Sequence, residues 1–202
     1  MLKHLLFTSA PVALLLGACS PDRPAAVSPG GHHVVERIAG PDGGYDYLSV
    51  DRAAKKLVVA RGYGVMAVAL DSGAITERLI EANDVSAVLV LPNTGLMLST
   101  IYGEDKAVIF DRATGVRQGE IATGKSPDAA AFDRASGLVF VMNAKSNDAT
   151  VIDPTAKKLV ATIAMGGKPE AAVSDGAGRM FVNIEDTAEI AVIDVARRTV
   201  VG

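Results

Sequence analysis

The chain has one cysteine, no tryptophan and only three histidines among 202 residues, and aromatics make up 4% of it. Each scarcity excludes a class of chemistry. A single cysteine, Cys19, rules out an intramolecular disulfide. His4 lies in the N-terminal leader, and His32 and His33 sit side by side before the first strand-like run. No histidine therefore remains for Ser-His or Cys-His nucleophile activation, or for an axial haem ligand, in the body of the chain. An adjacent His pair without further ligands is also weak as a metal site. Helical periodicity is missing throughout the mature region. Gly124-Lys125-Ser126 imitates the tail of a phosphate loop, but it lies between two strand-like runs and opens no helix. Charge of either sign is modest, with a net of −3, and nothing global points to nucleic-acid binding.

The N-terminus reads as an export signal. Met1-Leu2-Lys3-His4 is a short basic start, and Leu5 to Leu16 is mostly apolar but too short for an ordinary membrane-spanning helix. The sequence Leu16-Gly17-Ala18-Cys19 resembles the lipobox of bacterial lipoproteins, which implies a signal peptide over 1–18 and acylation of Cys19. Ordinary signal cleavage near Ala18, leaving Cys19 free, is the alternative. Ser20 stands where an inner-membrane retention Asp would sit, which points to the outer membrane. Loss of 1–18 removes Lys3 and takes the 20 Lys+Arg to 19, against 23 Asp+Glu. Residues 19–33, with Pro21, Pro24, Pro29, Gly30 and Gly31, read as a flexible tether.

A repeat of roughly 41 residues organises the rest of the chain. An Asp-led or Pro-led turn recurs at Asp51, Pro92, Asp133 and Asp175, and a second marker runs in phase at Asp71, Asp111, Asp153 and Asp194. Each repeat carries four short β-branched and aliphatic runs separated by Gly, Asp and Asn. A repeat of this length built of short strands predicts an all-β protein, a β-propeller of four-stranded antiparallel blades. The expected blades span about 45–82, 85–123, 127–165 and 169–202. The marker Asp residues are expected to start tight turns by accepting backbone N–H groups.

Gly137-Leu138-Val139-Phe140-Val141-Met142-Asn143, then Ser146 to Asp153, then Leu159-Val160-Ala161-Thr162-Ile163 resemble the YVTN-type repeat. Gly166-Gly167-Lys168-Pro169-Glu170 and Val182-Asn183-Ile184-Glu185-Asp186-Thr187 narrow the resemblance to the YncE-like group of exported propellers, over residues 34–202. With no Trp, the Trp-Asp signature of WD40 blades is absent. The resemblance implies seven blades, of which four are present. Val34–Ala39 then reads as an outer strand closing a missing last blade, and the chain as a C-terminally truncated, open arc. A closed four-bladed propeller is the alternative. An open arc exposes apolar flanks, so the chain alone is expected to be poorly stable or to oligomerise.

The loops entering the first strand of each blade and those joining its second and third strands reach one channel mouth. Counting back five from each first marker gives Asp46, Ala87, Asp128 and Glu170. Lys125 and Lys168 lie just upstream, and Asn147, Glu185 and Asp186 add to the same side. This mouth is acidic by about seven charges, which favours cations or a basic partner there. Asp46, Asp128 and Glu170 are also the metal candidates, and their hard oxygens would suit calcium, although the sequence requires no cofactor. Together these features predict a non-catalytic, exported binding or scaffold protein, lipid-anchored in the cell envelope, with a protein or small ligand at the acidic mouth. The alternative is a metal-dependent hydrolase of lactonase type using axial carboxylates.

Overall fold

The computed structural model describes residues 31–202. The expected leader, Cys19 and the tether up to Gly30 lie outside the described residues. The chain divides into two units, Met1–Arg37 and Ile38–Gly202. In the described part of the first, 31–37, there is no regular structure, and Val34 and Val35 are exposed. No strand is formed over residues 34–39.

The second unit consists of four antiparallel sheets of four strands each. The first sheet is β1 (Leu48–Asp51), β2 (Lys56–Arg61), β3 (Gly64–Ala69) and β4 (Ile75–Glu81). The second is β5 (Val85–Leu91), β6 (Leu96–Ile101), β7 (Lys106–Asp111) and β8 (Arg117–Ala122), with a 3-10 turn at Tyr102–Glu104. The third is β9 (Pro127–Asp133), β10 (Leu138–Asn143), β11 (Asp148–Asp153) and β12 (Lys158–Ala164). The fourth is β13 (Pro169–Ser174), β14 (Arg179–Ile184), β15 (Glu189–Asp194) and β16 (Thr199–Val200). Strands follow chain order across every sheet, and the first strands β1, β5, β9 and β13 lie side by side in succession. These are the blades of a β-propeller, with the first strand of each innermost.

The turns form for the reasons the markers suggest. Asp51 accepts the Ala54 N–H at 3.0 Å, and Asp111 those of Ala113 and Thr114 at 3.1 and 2.8 Å. Asp133, Asp153, Asp175 and Asp194 each accept at least one backbone N–H in the same manner. Asp71 is the exception, pairing instead with Lys55 of the neighbouring β1–β2 turn at 3.0 Å. Two markers do more than shape a turn. Asp51 and Asp133 are buried, and each binds the next blade: Asp51 through Arg112 at 3.2 Å, and Asp133 through the Ser174 hydroxyl. Burial alone would raise the Asp133 carboxyl. Hydrogen bonds from Ser174, Ser136 and Ala135 outweigh that and hold it below the ordinary value.

The core lies between sheets. Val58, Ala60 and Ala67 pack on Val88, Met97 and Phe110; Leu98 and Ile109 pack on Val139, Val141 and Ile152; Phe140, Met142 and Val151 pack on Met180, Val182 and Ile193. A middle sheet is covered on both faces, so β10 is buried along Val139–Asn143 without alternation. Inner strands use small residues such as Ala129 and Ala131 where neighbouring blades crowd together. Gly64 closes the tight β2–β3 hairpin with φ 142°, and a Cβ there would sit 2.0 Å from the Ile80 carbonyl oxygen.

Candidate ligand-binding site at the acidic channel mouth

All four inner strands run in the same direction, so the residues that precede them gather at one mouth. The entering loops pack against the loops between second and third strands. The Lys125 and Ser126 N–H groups donate to Ser146 and Asp105, and the Lys168 N–H donates to Asp186, each at 2.8 Å.

These contacts divide the expected site residues into two groups. Lys125, Lys168, Glu185 and Asp186 are occupied in holding the loops together, and Asn147 sits in the turn between β10 and β11. Lys125 pairs with Asp105 at 2.6 Å. That bond and the Ser126 N–H hold the Asp105 carboxyl below its usual range. Lys168 pairs with Glu185, which raises the lysine. Asn147 has a left-handed backbone at φ 56°, as do Asp105 and Ala188 at the equivalent positions of the neighbouring blades. Its place is therefore set by the turn, where Asn and Asp tolerate that conformation.

Asp46, Asp128 and Glu170 form the second group, and they share one electrostatic environment. Burial raises the Asp46 carboxyl against a bond from the Tyr47 N–H, and the Glu170 charge raises it further. Asp128 is raised by burial and then by Asp46, with Lys168 opposing. Tyr47 was not anticipated from the sequence. Its hydroxyl donates to Glu170 Oε1 at 3.3 Å, linking the first blade to the fourth, and burial together with the Glu170 charge pushes the phenol up to about 12. The only available signal was its position directly after Asp46.

A cavity of about 420 Å3 opens beside this cluster. Asp46, Asp84 and Asp128 supply its carboxylates, and Tyr45 and Tyr102 its aromatic walls, with Ser86 between them. No lysine or arginine lines it. The raised Asp46 and Asp128 carboxyls lie close enough to repel one another, which attracts positive charge. The Tyr45 and Tyr102 rings already carry Arg61 and Lys145, 3.8 and 5.3 Å from their centres. Among the described residues no group of three His, Cys, Asp or Glu side chains is placed to hold one metal ion, Asp46, Asp128 and Glu170 included. Arg61 is fully buried. It donates to the Gly44, Pro41 and Asp42 carbonyls at 2.6, 3.0 and 2.9 Å, away from the carboxylates.

No protein-family model matches the chain, and no curated protein matches it. Solved structures do. A chain of the Kuenenia stuttgartiensis hydrazine synthase structure superposes with a TM-score of 0.72 at 16% identity, covering 85% of this chain and 52% of its own. A chain of a nidogen/laminin complex superposes with a TM-score of 0.69 at 14% identity, covering 82% of this chain and 65% of its own. The chain thus spans about half and just under two thirds of these two neighbours. At such identities the likeness is one of fold, and the fold is the β-propeller.

Proposed function

We propose that this protein is a non-catalytic binding module of the YncE-like propeller type. It is exported and lipid-anchored through Cys19 in the cell envelope, and it takes a cationic group at the acidic channel mouth. That group belongs either to a small molecule or to a basic partner protein. The observation that carries the reading is the 420 Å3 cavity, where Asp46, Asp84 and Asp128 face Tyr45 and Tyr102 with no basic side chain in the lining. A lysine or arginine head would meet several carboxylates together there. The reading needs no metal, and it makes Lys125 and Lys168 loop fasteners rather than ligand contacts. Membership of a longer, seven-bladed propeller is what the YncE-like resemblance implies, and the exposed apolar face of the fourth blade is consistent with a further blade there.

Calorimetric titration with spermidine and with a tetra-arginine peptide tests the site. Saturable 1:1 binding is expected, weakening as salt rises and falling at least about ten-fold in Asp46→Asn/Asp128→Asn. Binding unchanged by those substitutions, or no binding of either cation, overturns the reading. For the anchor, Cys19→Ser is expected to move the protein from the membrane to the soluble envelope fraction.

A further inference from the structure

A cavity of about 670 Å3 lies at the other end of the inner strands. Three arginines line it: Arg52 from the first blade, Arg112 from the second and Arg134 from the third. Val50, Leu89 and Phe132 are among its apolar lining residues. The acids nearby are already engaged. Asp51 holds Arg112 at 3.2 Å with one oxygen and the Ala54 N–H with the other. Asp133 accepts from Ser136 and Ser174. Among the described residues neither Arg52 nor Arg134 has a carboxylate within ion-pair distance, and both are exposed. The cavity therefore carries surplus positive charge beside apolar side chains, and its volume falls in the range of small-molecule sites.

We infer that this second mouth binds a small organic anion, a carboxylate or phosphate carried on an apolar body. Arg52 and Arg134 meet the anionic head, and Val50, Leu89 and Phe132 receive the body. Arginine suits the role because its planar fork matches a carboxylate or phosphate bidentately. Arg112 stays with Asp51 and fixes the wall between the first two blades. The sequence carried a sign of this arrangement. The tripeptide Asp-Arg-Ala occurs at Asp51-Arg52-Ala53, Asp111-Arg112-Ala113 and Asp133-Arg134-Ala135, and all three of its arginines line this one cavity.

The test is calorimetric titration of the full chain with octyl phosphate, octanoate, octyltrimethylammonium and inorganic phosphate. Octyl phosphate or octanoate is expected to saturate a single site, whichever of the two binds more tightly naming the head group. The cation should not compete with either, and inorganic phosphate should bind at least about ten-fold more weakly than octyl phosphate. Arg52→Gln/Arg134→Gln should weaken the organic anion about ten-fold or more with an unchanged melting temperature, because both side chains are exposed. Asp46→Asn/Asp128→Asn, at the other mouth, should leave it unchanged. Equal binding to the arginine variant, competition by the cation, or no saturable binding of either organic anion overturns the inference. Phosphate binding as tightly as octyl phosphate overturns the apolar-body assignment.

Discussion

Among the described residues, the first and fourth blades each present an outer flank that no other sheet covers, and the two flanks are treated differently. On the first blade, Val59, Met66 and Val68 are buried, although no sheet lies over them. The segment from Ile38 to Tyr45 crosses that face, leaving an apolar groove of about 210 Å3 beneath it. Arg61 fastens it, with three bonds to backbone carbonyls and with its guanidinium 3.8 Å from the Tyr45 ring centre and 4.9 Å from that of Tyr63. On the fourth blade, the row Val173, Phe181, Val192 has no such cover. Val173 is 64% exposed, and Ile190, two residues before Val192 on β15, is 59% exposed. The same row in the third blade, Ala131, Phe140, Val151, is buried under the fourth. An inter-blade face can therefore be closed by a loop as well as by a sheet, provided the loop's polar backbone has an anchor. Here a buried guanidinium, satisfied by carbonyls rather than by a carboxylate, supplies it.

That comparison can be broken by mutation. The largest effect should come from the matched pair Phe140→Ala and Phe181→Ala. The first opens a cavity in a closed layer and should cost about 3–5 kcal/mol. The second removes a half-covered ring and should cost less than about 1.5 kcal/mol by area alone. Urea unfolding followed by circular dichroism measures both, and equal losses would mean that the fourth-blade face is covered in solution. Next, Arg61→Leu should cost about 2–3 kcal/mol, since it orphans three carbonyls beneath the clasp. It should also make the 38–45 segment the first site cut in limited proteolysis.

Smaller effects are expected at the open flank and the acidic mouth. Val173→Lys/Ile190→Lys should change stability by no more than about 0.5 kcal/mol, because both residues are exposed. It should lower self-association in sedimentation velocity, since it charges an apolar face that would otherwise pair with another copy. The smallest effect is one of pH. Asp46 and Asp128 are raised in the fold. The native state therefore binds their protons more readily than the unfolded chain does, and stability from these groups is lost as pH rises through their folded values. Asp128→Asn should raise the melting temperature by about 2 °C at pH 7, with the gain vanishing toward pH 3. The marker carboxyls Asp111, Asp175 and Asp194 are lowered and act in the opposite sense, contributing stability that is lost on acidification.

The strands were legible because two turn markers in one phase confine each run between them. In the third blade the runs expected at 138–142 and 149–152 are strands over Leu138–Asn143 and Asp148–Asp153. The acid cluster was partly legible for the same reason, since equal offsets from the markers bring Asp46, Asp128 and Glu170 to one mouth. The fate of each charge was not. Lys125 and Lys168 reach carboxylates about twenty residues away in neighbouring loops, and linear spacing does not reveal that pairing. Arg61 reads as one more solvated charge until the chain before β1 is seen folded over it. Tyr47 acquires its role only through Glu170, three repeats away.

The division of the core into separate layers has a consequence for how the molecule opens. Apart from Tyr47, which reaches across to Glu170 and the layer beneath the fourth blade, each sheet packs on its immediate neighbours, so unfolding is expected to proceed by loss of a terminal blade rather than by collapse of a common centre. Amide hydrogens should exchange fastest along β14 and β15 of the fourth blade. Those of β2 and β3, under the clasp, should come next, and those of β6, β7, β10 and β11 should exchange last. A protection gradient of this shape is how the difference between a loop-covered and a bare flank would appear in time.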